Sequence, residues 1–127
     1  MKQIEINTSK RVEIIDITNR VEELVEGNGI AVIYTPHTTT ALIVNEAESG
    51  LLEDIVEVLQ KLIPKGAGYK HDRIDDNADA HLRACILGNS LVIPVENGRL
   101  VLGTWQRILF VELDGPRRRR VYVKVIE

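Results

Sequence analysis

The 127-residue sequence holds a single cysteine, Cys85, so no intrachain disulfide can form and a reducing compartment is expected. Aromatic residues make up only 4% of the chain, with one Phe and one Trp. Stacking surfaces for bases or sugars are therefore scarce, and Val, Ile and Leu must fill the core. Neither a basic-then-apolar leader nor an apolar run of about 18 residues occurs, so the expectation is a cytoplasmic protein with no membrane partner. Basic excess is also missing. A formal charge of −3 and a pI near 5.6 leave no general phosphate-binding surface, and no nucleic-acid partner is expected. What is present is an ordinary globular composition, 44% hydrophobic and 28% charged, at a length that allows a single domain over residues 1–127.

Residues 3–7 (QIEIN) and 12–17 (VEIIDI) carry β-branched residues with partial alternation, and Thr8-Ser9-Lys10 between them reads as a turn, predicting an opening hairpin. Thr18 or Asn19 is positioned to cap a short helix, Asn19 forming a capping box with Glu22, and Gly27-Asn28-Gly29 ends it. The continuous apolar run at residues 30–34 suits a strand covered on both faces. A polar insert, Thr35-Pro36-His37-Thr38-Thr39-Thr40, precedes a second apolar strand at residues 41–44. Apolar residues at three- and four-residue spacing predict an amphipathic helix over residues 49–62, ended by Pro64. Residues 65–76 are glycine-rich and charged and read as a loop. Asp76 or Asn77 then caps a helix through Ile86, stopped at Gly88. The remainder reads as strands at residues 91–95, 100–102, 108–113 and 120–126, the first two joined by an Asn97-Gly98 turn. This order is not the alternation of a doubly wound sheet. It predicts an α+β fold with mixed or largely antiparallel sheets and three helices.

The three histidines, His37, His71 and His81, all fall at breaks in the apolar pattern, each with polar company: Thr38 to Thr40, Asp72, and Asn77 with Asp79. Neighbours of this kind fix imidazole tautomers, and three imidazoles from separate segments can hold a metal with an open coordination position. They can equally bind phosphate without a metal. The plainer alternative is three unrelated surface histidines. Cys85, four residues after His81, could share a helix face with it, but its apolar neighbours favour a small core residue. Glu46, at the end of an apolar strand, is a candidate acid, base, ligand or helix cap. Trp105, between strands and beside Arg107, reads as core packing. The run Arg117 to Arg120 offers oxyanion donors, or a solvated strand edge with alternate arginines on opposite faces.

Taken together, PHTTTALIVNE from Pro36, the Tyr69-Lys70-His71-Asp72 segment, NADAHLRACILGNS from Asn77 and GTWQRILFVELDGPR from Gly103 resemble the YjbQ-like family, often called secondary thiamine-phosphate synthase enzymes. The resemblance implies a small α+β domain, a homotrimer, and a polar pocket of histidines and acidic residues. It implies site residues His37, Glu46, His71, Asp72, Asn77, Asp79 and His81, with Thr38, Gln106 and Arg107 nearby, toward a small phosphorylated substrate; from the arginine run itself one member, Arg117, is expected to join them. His37, His71 and His81 would be ligands of a divalent metal, zinc or magnesium. The activity implied joins a pyrimidine diphosphate to a thiazole phosphate. A metal-dependent hydrolase of a phosphorylated or acyl metabolite and a non-catalytic trimeric metabolite-binding protein are the alternatives.

Overall fold

The computed structural model describes residues 1–127, and its strands form where β-branched residues cluster. In chain order the elements are β1 (Lys2–Asn7), β2 (Glu13–Asp16), α1 (Thr18–Glu22), β3 (Gly29–Tyr34), β4 (Thr40–Asn45) and α2 (Ser49–Leu62). A 3-10 turn (Lys70–Arg73), α3 (Ala78–Leu87), β5 (Ser90–Glu96), β6 (Arg99–Leu100), β7 (Arg107–Glu112) and β8 (Arg118–Ile126) follow. Every strand pairing is antiparallel. The fold is α+β, as the element order implies.

The strands make a five-stranded sheet, β1-β8-β3-β5-β6, and a three-stranded sheet, β2-β7-β4. Ile4, Ile6, Ala31, Ile33, Ile93, Val121 and Val123 of the larger sheet pack on Leu42, Ile108 and Phe110 of the smaller one, with Val21 of α1 closing the end. The other face of the small sheet, through Ala41, Val111 and Leu113, receives Leu59 of α2 and Ala80 of α3. The small sheet is thus the middle of three layers.

That layering explains where the sequence reading goes astray. β1 and β2 do not form a hairpin: β1 pairs with β8 and β2 with β7, so the turn between them carries the chain from one sheet to the other. The strand covered on both faces is β7, the centre of the middle layer, where Ile108 to Glu112 are all buried. β3 instead alternates, burying Ala31 and Ile33 and leaving Ile30 and Tyr34 at the outer surface. The strand predicted over residues 100–102 shrinks to Arg99–Leu100, after an Asn97-Gly98 turn whose positive φ values of 51° and 74° are those a tight hairpin needs.

The helix ends differ in a consistent way. α2 spans the predicted residues, its first turn capped by the Glu48 carboxylate, which accepts from the Gly50 and Leu51 N–H groups. α1 has no side-chain cap from Thr18 or Asn19; Asp16 accepts from the Thr18 N–H and hydroxyl at 3.0 and 2.6 Å. At α3, Asn77 occupies the cap position without capping, and Asp72 reaches back six residues to accept from the Ala78 N–H at 2.9 Å. In each case a carboxylate outside the helix takes the amide, the arrangement the helix dipole favours.

Candidate functional site

The polar insert crosses from the large sheet to the small one, since β3 belongs to the former and β4 to the latter. Its backbone is tied down at both ends. Thr35 N–H donates to the Asn89 carbonyl, the Thr35 and Thr40 hydroxyls bond each other at 2.7 Å, and Leu113 N–H donates to the Thr39 carbonyl. Arg119 adds a fourth tie, from Nη2 to the Thr39 hydroxyl at 2.9 Å.

Arg119 is the inward member of the arginine run, 5% exposed, while Arg118 and Arg120 face out as strand alternation requires and Arg117, just before β8, is exposed in the turn. It makes a bidentate pair with Glu112, Nε to Oε1 at 2.8 Å and Nη2 to Oε2 at 2.6 Å. Glu112 also accepts from the Thr8 hydroxyl and the Leu113 and Asp114 N–H groups, so a fully buried carboxylate is satisfied on every side.

The position of His37 follows from this frame. β8 pairs with β3 only as far as Tyr122, and beyond it the main-chain N–H of Arg120 has no β3 carbonyl to meet. The imidazole of His37 fills that place, Nε2 accepting from Arg120 N–H at 2.9 Å. Burial, then the charges of Arg119 and Arg120, hold the ring's pKa below its ordinary value against an opposing pull from Glu112. The ring is therefore neutral at physiological pH.

The facing wall is α3. A cleft of about 490 Å³ lies between the insert and the helix, lined by His37, Thr35, Thr38 and Thr40 on one side and His81 and Cys85 on the other. No carboxylate lines it. The ring of His81 also meets that of His71 edge to face, centroids 4.7 Å apart, above a second, more apolar recess shared with Tyr69 and Leu82. The structure thus brings all three histidines to one stretch of surface, His81 in the middle. Cys85 is exposed on the cleft wall rather than part of the core.

The acidic residues do other work. Asp79, 1% exposed, accepts both Nη groups of Arg11 at 3.0 and 3.1 Å and lies 3.1 Å from Arg83 Nη1. Burial pushes its carboxyl up, but Arg11 and Arg83 outweigh that and leave its pKa below the usual carboxylate value. Arg83 in turn donates to the Ile63 carbonyl, joining the middle of α3 to the end of α2. Asp72 caps α3, and Asn77 donates to Asp114, whose carboxylate also receives Arg117 at 3.2 Å. Asp72, Asn77, Asp79 and Arg117 therefore hold the frame rather than line the cleft.

Glu46, Gln106 and Arg107 lie elsewhere. β4 runs from Thr40, beside the histidines, to Asn45, a span of about 16 Å at the usual strand rise. Glu46 and Arg107 line a shallow depression at that far end with Trp105, which is 71% exposed rather than core. Arg107 is already paired there with Asp16 at 2.7 Å and Asn19 at 3.2 Å, and Gln106 accepts from Gly103 N–H.

No three His, Cys, Asp or Glu side chains within the chain gather into a group able to hold an ion. Nε2 of His37 already accepts a hydrogen bond, so a cation at this surface would find His71 and His81 rather than all three rings. Sequence reasoning missed the framework residues Arg11, Arg83, Glu112 and Asp114. Only the Asp79-to-Arg83 spacing of four, an ion-pair spacing on a helix, signalled any of them. No helix is long and apolar enough to cross a membrane.

Comparisons with known proteins agree with the fold. Residues 2–127 match the family described as UPF0047 protein YjbQ-like. A UPF0047 protein of Archaeoglobus fulgidus is 65% identical over 98% of this chain and 99% of its own. The UPF0047 protein YugU of Bacillus subtilis is 40% identical over 99% and 98%. A hypothetical protein of Aeropyrum pernix superimposes with a TM-score of 0.95 at 50% identity, covering 98% of this chain and 96% of that one. A protein of unknown function from Sulfolobus solfataricus does so with a TM-score of 0.95 at 44% identity, over 98% and 94%. Matched along nearly its whole length in sequence and in fold, the chain belongs to the YjbQ/UPF0047 family.

Proposed function

We propose that this chain is an enzyme acting on a small phosphorylated metabolite, a transferase of the thiamine-phosphate synthase kind that assembles as a homotrimer. The observation that carries the reading is the cleft itself. Two imidazoles face each other across threonine hydroxyls, with Arg119 and Arg120 behind one wall and no carboxylate in the lining. Such a lining favours an anion and repels none.

In the reaction proposed, the ring nitrogen of a thiazole phosphate attacks the methylene carbon of a pyrimidine diphosphate. A C–N bond forms, the C–O bond to the diphosphate breaks, and its electron pair leaves on pyrophosphate. The cleft residues stabilise the charge that gathers on the departing oxygens, and His81, whose ring no main-chain donor engages, is the group free to carry a proton. A divalent cation, zinc or magnesium, would arrive with the diphosphate and be steadied by His71 and His81, adding charge neutralisation. Support for assembly comes from the outer face of the large sheet, where Ile30, Tyr34, Val92 and Ile126 are 39 to 63% exposed.

Purified protein given both substrates is expected to form thiamine phosphate and pyrophosphate, with His81→Ala slowing the rate about 100-fold, the usual worth of a proton-transfer group. Phosphate or pyrophosphate release without coupling would instead indicate a hydrolase. Tight binding without product would indicate a metabolite-binding protein. Light scattering on the same preparation reports whether three copies associate.

A further inference from the structure

We propose that His37 is a substrate-binding hydrogen-bond donor, presenting Nδ1–H to a phosphoryl oxygen in the cleft, with its tautomer set by the main-chain N–H of Arg120. The inference deepens the reading of the cleft as a phosphorylated-metabolite site and rests on it.

A ring nitrogen that accepts a hydrogen bond carries no proton, and a neutral imidazole has one proton to place. With Nε2 accepting from Arg120 at 2.9 Å, that proton sits on Nδ1. Nδ1 has no hydrogen-bond partner within the protein, and it is not among the buried polar atoms left unpaired, so it opens to the cleft that the ring lines. The charged groups around the ring are the guanidinium groups of Arg119 and Arg120 and the Glu112 carboxylate, with His81 across the cleft. With Arg119 matched by Glu112, the net positive charge behind this neutral donor is that of Arg120, and it suits an anionic oxygen in front of the ring. The anchor is rigid because Arg120 lies next to Arg119, whose buried pair with Glu112 holds both the strand and the insert. This divides the labour between the walls: His37 donates and does not accept, whereas the ring of His81 has no such lock.

Asparagine and glutamine separate the two ring nitrogens. Asn places an N–H where Nδ1 stood and leaves the Arg120 amide unmatched; Gln places a carbonyl where Nε2 stood and offers nothing at Nδ1. With inorganic pyrophosphate as probe in calorimetry, H37N is expected to bind within about threefold of the parent and H37Q at least about tenfold more weakly, the scale of one hydrogen bond to a charged group. Long-range 15N correlations on the ligand-free parent are expected to show a protonated Nδ1 and a bare Nε2. H37Q binding as tightly as H37N or tighter, or a protonated Nε2, would overturn the inference while leaving the cleft as an anion site. A parent that fails to bind pyrophosphate would bring down that reading of the cleft, and the inference with it. Should H37N not fold, the 15N pattern of the parent together with the H37Q affinity still decides the matter.

Discussion

Each wall of the cleft is held by a buried charge cluster, and the two clusters are built differently. Behind the His37 wall, Glu112 and Arg119 are both inside, and every oxygen of the carboxylate meets a donor. Behind the His81 wall, Asp79 shares its charge between Arg83, which is inside, and Arg11, whose side chain is a third exposed. Arg83 Nη1 lies close to Asp79 yet makes no well-aligned hydrogen bond. The first cluster is closed and joins the two sheets. The second has slack and access to water, and it joins helices to the frame. A rigid wall carrying a fixed donor thus faces a more compliant wall carrying the free imidazole.

The sharpest way to break that contrast is to remove one carboxylate at a time. Glu112→Ala leaves Arg119 buried without a counter-charge and is expected to cost about 3–5 kcal/mol, enough to unfold a marginal domain. Asp79→Ala should fall at the low end, about 3 kcal/mol, because Arg11 can turn to solvent. Denaturant titration of both variants checks the order, and an equal cost would mean that closure of the first cluster contributes nothing extra.

Acid separates the clusters further. The folded pKa of Asp79 lies below its unfolded value of about 3.9, so its pairing stabilises the fold fully above that value and is lost as pH falls through the folded pKa. Stability measured below about pH 4 should therefore drop more steeply in the parent than in Asp79→Asn.

The smallest expected effect concerns His37, and it probes the rigid wall. Its folded pKa is lowered, so below about pH 6.5 the unfolded chain binds a proton that the folded ring refuses. Stability should decline gently from that pH downward, and H37Q should flatten the slope in chemical denaturation series across that range. A parent whose stability is flat through this range would show that burial beside Arg119 and Arg120 does not hold the ring neutral.

Much of this was legible along the chain. The period of Leu51, Leu52, Ile55 and Leu59 marks α2, and Asn97-Gly98 marks its turn, because both signals are local and each involves neighbours a few residues apart. The strand alternation of the arginine run was legible too, though not which register faces inward. Glu46, Arg107 and His37 all stand as site candidates in the sequence because it lists polar residues at strand ends without saying which end. β4 separates them by its own length. Trp105 and Cys85, read as core, are exposed because the strand junction carrying Trp105 is uncovered and the face of α3 carrying Cys85 turns to the cleft rather than to the small sheet.

By itself, the order of residues determined the elements, the α+β class and the presence of histidines at three breaks in the apolar pattern, since hydrophobic periodicity acts over one or two turns or strands. Only the tertiary structure decided which sheet each strand joins, and so which charges are buried and which amide is left over for His37. Burial and unmet hydrogen bonds depend on residues more than 80 positions apart, as the 83-residue separation of Arg120 and His37 shows, and no local pattern encodes that meeting.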